Sequence, residues 1–232
     1  MALTNSSNNT ITNLISKLNQ GEGIFINHSS NTHLANINAD ENIEDGILIY
    51  FSANTWVENI TAIGKNDGTS KTGITVMDSV NTTIVNATVL RNNMYGGILV
   101  LDNSFDTRIL SSLIESNIYG IYVESSTNTE INDSKICFNS DWDVINLGTN
   151  TSGNRNRCMN SFAFTCELEC YKIITQCQEI NISDMEYYLA NDIDITGTKT
   201  VCFNITANNI VFDCKNHLLR GNIVIDLKYP YN

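Results

Sequence analysis

Apolar and polar residues alternate in short runs along most of this chain. In "GIFINHSSNTHLANI", from Gly23, apolar side chains fall at every second position, stop at a Ser/Asn/Thr break, then resume. Alternation with a period of two predicts a half-buried strand. The layout returns as "GILIYFSANTWVENI" from Gly46, "GITVMDSVNTTIVNATV" from Gly73, "GILVLDNSFDTRILSSLI" from Gly97 and "GIYVESSTNTEINDSKI" from Gly120. A degenerate copy starts at Asp143 and a partial one runs from Ser6 to Ile15. Successive glycines are 23, 27, 24 and 23 residues apart.

Each unit predicts two short strands. Ile24/Ile26, Ile47/Ile49, Ile74/Val76, Ile98/Val100 and Ile121/Val123 share one parity in the first strand. Leu34, Val57, Ile84, Ile109 and Ile131 recur in the second. Strands this short cannot bury a face alone, but stacked units gain a continuous core and parallel ladders. A repeat of this length with no helical segment matches one coil of a parallel β-helix. The expectation is an all-β body over residues 1–149, about six coils of ~23–24 residues.

Asparagines punctuate the units. Asn31, Asn54, Asn81 and Asn128 recur at one corner, with Asp106 in the fourth unit. Asn36, Asn59 and Asn86 recur at a second, with Ser111 and Asp133 as substitutes. Stacked amides can bond to the coils on either side while tolerating a left-handed backbone, so the first set predicts an asparagine ladder.

The repeat "GIYVESSTNTEINDSKI" resembles that of right-handed parallel β-helix proteins of the NosD and carbohydrate-binding/sugar-hydrolase type, which abound among archaeal surface proteins. The resemblance covers roughly residues 6–149 and implies a right-handed coil. It says little about function, because that fold hosts lyases, hydrolases, adhesins and structural proteins.

After Asn150 the register stops, and 150–176 reads as a cysteine-rich junction. From Cys177 a different pattern begins. Tyr188, Asp192 and Ile193, then Cys202, Phe203, Ile205, Ala207, Asn209, Ile210, Phe212, Asp213, Cys214, His217 and Gly221, resemble the first coils of the same kind of β-helix. Residues 177–232 are therefore expected to open or cap a β-helix, completing the next subunit or the next domain. Head-to-tail polymerisation and excision from a longer tandem protein both fit that order.

Composition narrows the classes. Thirty-five asparagines, one proline and 16% charged residues favour strands and turns over helices. A net charge of −12, with 13 Lys plus Arg spread thinly, excludes a nucleic-acid groove or an anionic-membrane patch. No apolar run is long enough to insert as a membrane helix. All seven cysteines lie from Cys137 onward. Cys158, Cys166, Cys170, Cys177, Cys202 and Cys214 are disulfide candidates. Cys137 is the expected free thiol, with a Cys137–Cys158 pair as the alternative. The spacing of Cys158, Cys166, Cys170 and Cys177 fits no zinc pattern. Ten N-x-[ST] sequons start at Asn5, Asn8, Asn27, Asn59, Asn81, Asn86, Asn132, Asn150, Asn181 and Asn204. The last eight are the glycosylation candidates. Cysteines plus sequons point to an extracellular or cell-surface setting.

Candidate chemistry is sparse on the first strand of each unit. Its outward parity gives Phe25, Leu48, Thr75, Leu99 and Tyr122, then Asn27, Tyr50, Met77, Leu101 and Glu124. Glycosidases need two opposed carboxyls, and lyases a base with a charge stabiliser. A lone glutamate supplies neither, so no enzyme is expected. Asp40, Glu41, Glu44 and Asp45 read as solvated loop charge, as do Asp141, Asp143, Asp192 and Asp194. His28, His33 and His217 sit in different units, so no metal or other cofactor is implied. Phe25, Leu48, Tyr50, Met77, Leu99, Leu101 and Tyr122 form an apolar stripe, read as a subunit interface ahead of an aromatic sugar platform. The functional expectation is a structural subunit of a filament, sheath or surface layer. The alternative is a carbohydrate-binding or carbohydrate-processing surface protein with glycans as partners.

Overall fold

The computed structural model describes residues 1–65, 67–92, 94–183, 185–196 and 202–220, with the backbone alone of 226–227. Among the described residues there is no helix, and the strands pair in parallel. The chain forms two compact units, Met1–Glu169 and Cys170–Asn232.

The first unit is a parallel β-helix. Its first sheet stacks Ala2–Thr4, Ile24–Asn27, Ile47–Tyr50, Thr72–Met77, Gly96–Leu101, Tyr119–Thr127, Trp142–Thr149 and Ser161–Phe162. That is eight strands against the six expected coils. Ala2–Thr4 precedes the first repeated glycine, and Ser161–Phe162 follows the degenerate copy. The repeat letters become register. Ile24 pairs with Ile47, and Ile74, Ile98, Ile121 and Val144 follow coil by coil, all fully buried. Each such side chain contributes roughly 1.5–3 kcal/mol of hydrophobic stabilisation.

The second sheet runs Thr10–Thr12, Ser30–Asn38, Ala53–Ile63, Val80–Leu90, Arg108–Leu110, Glu130–Asn132 and Ser152–Asn154. Leu34, Val57, Ile84, Ile109 and Ile131 stack along its inner face. A third face continues beyond the second corner, where Ile114 pairs with Val89 and Ile136.

The corners are left-handed. Asn31, Asn54, Asn81 and Asn128 have φ between 51° and 57°. Most L-residues lose roughly 1–2 kcal/mol there, whereas Asn is tolerated. Asn31 Nδ2 donates to Asn8 Oδ1 at 3.1 Å, Asn54 Nδ2 to Asn31 Oδ1 at 3.1 Å, and Asn81 Nδ2 to Asn54 Oδ1 at 2.8 Å. Above Asp106 the ladder resumes, with Asn128 Nδ2 donating to Asp106 Oδ1 at 3.2 Å and Asn150 Nδ2 to Asn128 Oδ1 at 3.2 Å. Asp106 accepts but has no N–H to pass on toward Asn81, so the ladder breaks at that coil. A second ladder joins Asn13, Asn36, Asn59 and Asn86.

The repeated glycines mark close approaches between successive coils. A Cβ on Gly73 would lie 2.7 Å from the Gly97 carbonyl oxygen, and one on Gly97 2.6 Å from that of Gly120. Two interior polar columns escaped the alternation pattern. Ser29, Ser52 and Ser79 each offer a backbone N–H to the serine hydroxyl of the following coil. Buried Asn92 donates from Nδ2 to Asn117 Oδ1 at 3.1 Å, and Asn117 does the same to Asn139 at 3.2 Å.

The second unit has its own core of Ile174, Ile180, Tyr187, Leu189, Cys202 and Phe203. Glu186 pairs with Val211 and Gln178 with Phe203, each 25 residues apart, again as parallel coils. Gly221, the last residue of the opening motif, lies outside the described residues.

Cys158 pairs with Cys166, and Cys177 with Cys202. The second pair follows from register: Gln178 lies opposite Phe203, which sets the preceding cysteines side by side, with Cα atoms 4.5 Å apart. Cys137 and Cys170 are also disulfide-bonded. Two expectations are corrected. Cys137, fully buried, is oxidised rather than free, and the disulfide candidate Cys214 is the free thiol. Sequence spacing cannot assign connectivity, which depends on which cysteines the coils align.

Candidate functional site

The outer face of the second sheet carries the side chains that the first lacks. One outward position gives, in register order, His33, Trp56, Thr83, Arg108 and Glu130. Two residues along the strands, Glu58 lies beside Trp56 on the same side. Successive coils stand about 4.8 Å apart. Trp56 and Arg108, two coils apart, are therefore separated by about 10 Å.

Thr83 lies between them, small and only 5% exposed, while Trp56 is 45% exposed. The result is a notch of ≈ 330 Å³ with Trp56 and Arg108 as walls, Thr83 as floor, and the ladder residues Asn54 and Asn81 on one rim. A second notch of ≈ 290 Å³ lies past Arg108, lined by Asp106, Asn128, Glu130, Asn150 and Ser152 as well.

The charged groups are fixed by one another. His33 Nε2 lies 3.0 Å from Glu58 Oε1, and Trp56 Nε1–H donates to Glu58 Oε2 at 3.1 Å. The Trp56 bond first, and then the His33 bond, holds the Glu58 carboxyl below its ordinary pKa. An ionised carboxylate only accepts, so the proton of neutral His33 sits on Nε2 and Nδ1 presents a lone pair. Arg108 Nε pairs with Glu130 at 3.3 Å. Glu58 and Glu130 are three coils apart, about 14 Å, too far for the paired carboxyls of a glycosidase.

The other candidates disperse. The stripe residues Phe25, Leu48, Tyr50, Met77, Leu101 and Tyr122 are half-buried on the first sheet, and Leu99 is buried. Asp40 pairs with Lys17 at 3.0 Å and Glu44 with Lys71. Burial is the largest cause pushing Asp45 up to about 6. Asp143 accepts from the Asn139, Met159 and Asn160 backbone N–H groups. His217 is 3.3 Å from Asp192 in the second unit. Among the described residues no three His, Cys, Asp or Glu converge as metal ligands.

Of the glycosylation candidates, Asn59, Asn81, Asn86 and Asn150 donate their side-chain nitrogens within the ladders. Asn132 donates its own to Glu130, and Asn27 accepts from His28. Asn181 is exposed and Asn204 half-buried in the second unit.

The chain belongs to the right-handed β-helix family: the family's "Right handed beta helix region" matches residues 1–136. That match defines the family and no narrower subgroup. No curated protein matches the chain. Among solved structures, an alginate lyase from Paenibacillus sp. str. FPU-7 is similar, with a TM-score of 0.54 and 9% identity over 88% of this chain and 79% of that one. The pectate lyase Pel9A matches with a TM-score of 0.47 and 12% identity over 84% of this chain. This chain spans about half of that lyase, 55% of its length. PfbA, a surface adhesin of Streptococcus pneumoniae, matches with a TM-score of 0.41 and 14% identity, over 95% of this chain and 62% of that one.

The expectation of no enzyme is corrected. The Paenibacillus alginate lyase shows that a fold shared with this chain carries catalysis. The expectation also rested on one face. His33, Glu58, Arg108 and Glu130 all project from the second strand of each unit, whose outward parity supplies the base, carboxylates and cation missing from the first.

Proposed function

We propose that this protein binds, and processes, a saccharide chain laid along the outer face of the second sheet. The observation that carries this is the Trp56–Thr83–Arg108 notch. An indole offers a flat face for the apolar side of a sugar ring. Arg108, Glu130, Asn54 and Asn81 offer donors and acceptors to its hydroxyls. The coil spacing is close to the length of one pyranose unit, so consecutive sugars meet consecutive outward positions. The −12 net charge favours a neutral chain over a polyanion. The His33–Glu58 pair is the proton-handling group: Nδ1 of His33 takes a proton from the water that adds to the anomeric carbon, Glu58 stabilises the imidazolium that forms, and the imidazolium gives that proton to the departing glycosidic oxygen as its bond to carbon breaks.

The carbohydrate reading thus replaces the filament subunit as the main one, because the chemistry concentrates on a side face rather than at the coil ends. An extracellular setting fits the disulfides. Screening the purified chain against neutral, acidic and amino polysaccharides tests the reading, with binding and reducing-end release as readouts. Binding that Trp56→Ala weakens, and product formation that His33→Ala removes, are expected. No bound glycan of any class would refute it.

A further inference from the structure

The first sheet carries a separate groove on its own outer face. Tyr95, Leu99, Leu101, Tyr119, Tyr122 and Glu124 line a volume of ≈ 300 Å³. Register builds it: Tyr119 lies opposite Gly96, which leaves room beside it, and Tyr122 lies opposite Leu99. Leu99, 9% exposed, is the floor. The Tyr119 and Tyr122 rings are 5.7 Å apart and tilted by 39°. Tyr95, 52% exposed, is the third tyrosine of the lining.

The electrostatics of this lining are one-sided. Ring faces present negative quadrupole density. Glu124 is exposed and close enough to the Tyr122 hydroxyl to help, after burial, to raise its pKa, and among the described residues it joins no ion pair. A nearby cation, Lys71, is engaged by Glu44, although its carbonyl accepts the Tyr95 N–H at 3.1 Å. Three tyrosines and a carboxylate therefore line the space, no Lys or Arg is among its lining residues, and the Lys71 ammonium that feels Tyr95 is paired with Glu44.

We propose that this groove binds an organic ammonium group. Ring faces and a carboxylate both attract such a cation, and an alkyl-substituted ammonium also buries carbon against Leu99 and Leu101. A neutral ligand would leave Glu124 unanswered, and an anion would be repelled. The same chemistry is offered by an amino sugar with a free amine and by a choline-type headgroup.

The test is an NMR titration of the full chain, following the tyrosine ring signals. The ligands are choline, its uncharged tert-butyl isostere, glucosamine oligomers and their N-acetylated counterparts. At least one cationic ligand is expected to shift the Tyr95, Tyr119 and Tyr122 signals saturably. Its uncharged partner should do so about fivefold more weakly or not at all. Glu124→Gln and Tyr122→Leu, checked for unchanged isoleucine methyl spectra, should each weaken binding about two- to fivefold. Trp56→Ala should leave it unchanged, which separates this groove from the saccharide site. Choline binding alone identifies a headgroup as the source, and glucosamine binding alone an amino sugar. Equal binding by the uncharged partners, or no saturable shift with either cation, overturns the proposal.

Discussion

Trp56 and Arg108 occupy the same outward position two coils apart on the second sheet, with buried Thr83 between them. Neither wall alone makes a site. The small middle residue turns them into a notch that one sugar ring can fill. Thr83→Trp should fill that notch from its floor. Because Thr83 is only 5% exposed, the larger ring must push its neighbours aside, so the fold should lose about 1–3 kcal/mol without unfolding, while saccharide binding is lost. Thermal unfolding and a binding titration on the same sample check both halves.

The ladder break at Asp106 is a local weakness. Asp106→Asn would supply the missing donor toward Asn81 while still accepting from Asn128. It should stabilise the first unit by about 1 kcal/mol. Asn54→Ala removes two ladder bonds and places alanine at a φ of 53°, and should cost about 2–3 kcal/mol. Urea midpoints of the two variants should move in opposite directions.

Asp45 gives stability a pH dependence. Its carboxyl is pushed up to about 6 in the folded chain, from an ordinary 3.8, mainly by burial. Between those values the folded state holds a proton that the unfolded state has released. Stability therefore falls as pH rises through this window, by on the order of 2 kcal/mol after allowing for partial exposure. Asp45→Asn should remove that slope. The variant should be the more stable protein near about pH 7 and gain little near about pH 4, read from urea midpoints at the two pH values.

Much of the first unit was legible because its coils are nearly equal in length. When units repeat every 23 or so residues, sequence spacing converts directly into strand register, and Ile24, Ile47, Ile74, Ile98 and Ile121 name the core outright. The candidate site was harder to read, for a geometric reason. Its residues are scattered from His33 to Glu130 and become neighbours only through the second strand's outward parity. The "ANTWVENI" copy holds Trp56 and Glu58, and the "FDTRIL" copy holds Arg108, so the signal was present once the second strands were aligned as well as the first. The interior Asn92–Asn117–Asn139 column was invisible for another reason. A buried amide and a loop amide are the same letter until the neighbouring coil supplies its partner.

The cysteine arrangement is open to a simple chemical check. Under native, non-reducing conditions an alkylating reagent should label Cys214, the half-buried free thiol, and leave Cys158, Cys166, Cys177 and Cys202 unmodified. Peptide mapping by mass spectrometry reads the labelled position. Modification of Cys137 in place of Cys214 would contradict the assignment.

Equilibrium titration of an identified saccharide against the wild-type chain, Trp56→Ala and Arg108→Ala tests the central claim most directly. Each substitution should weaken binding about tenfold or more, as expected for a central aromatic or arginine anchor. Tyr122→Leu, on the other sheet, should bind the same saccharide like the wild type. Undiminished affinity in both notch variants would contradict the account, because the saccharide would then be bound somewhere other than between Trp56 and Arg108.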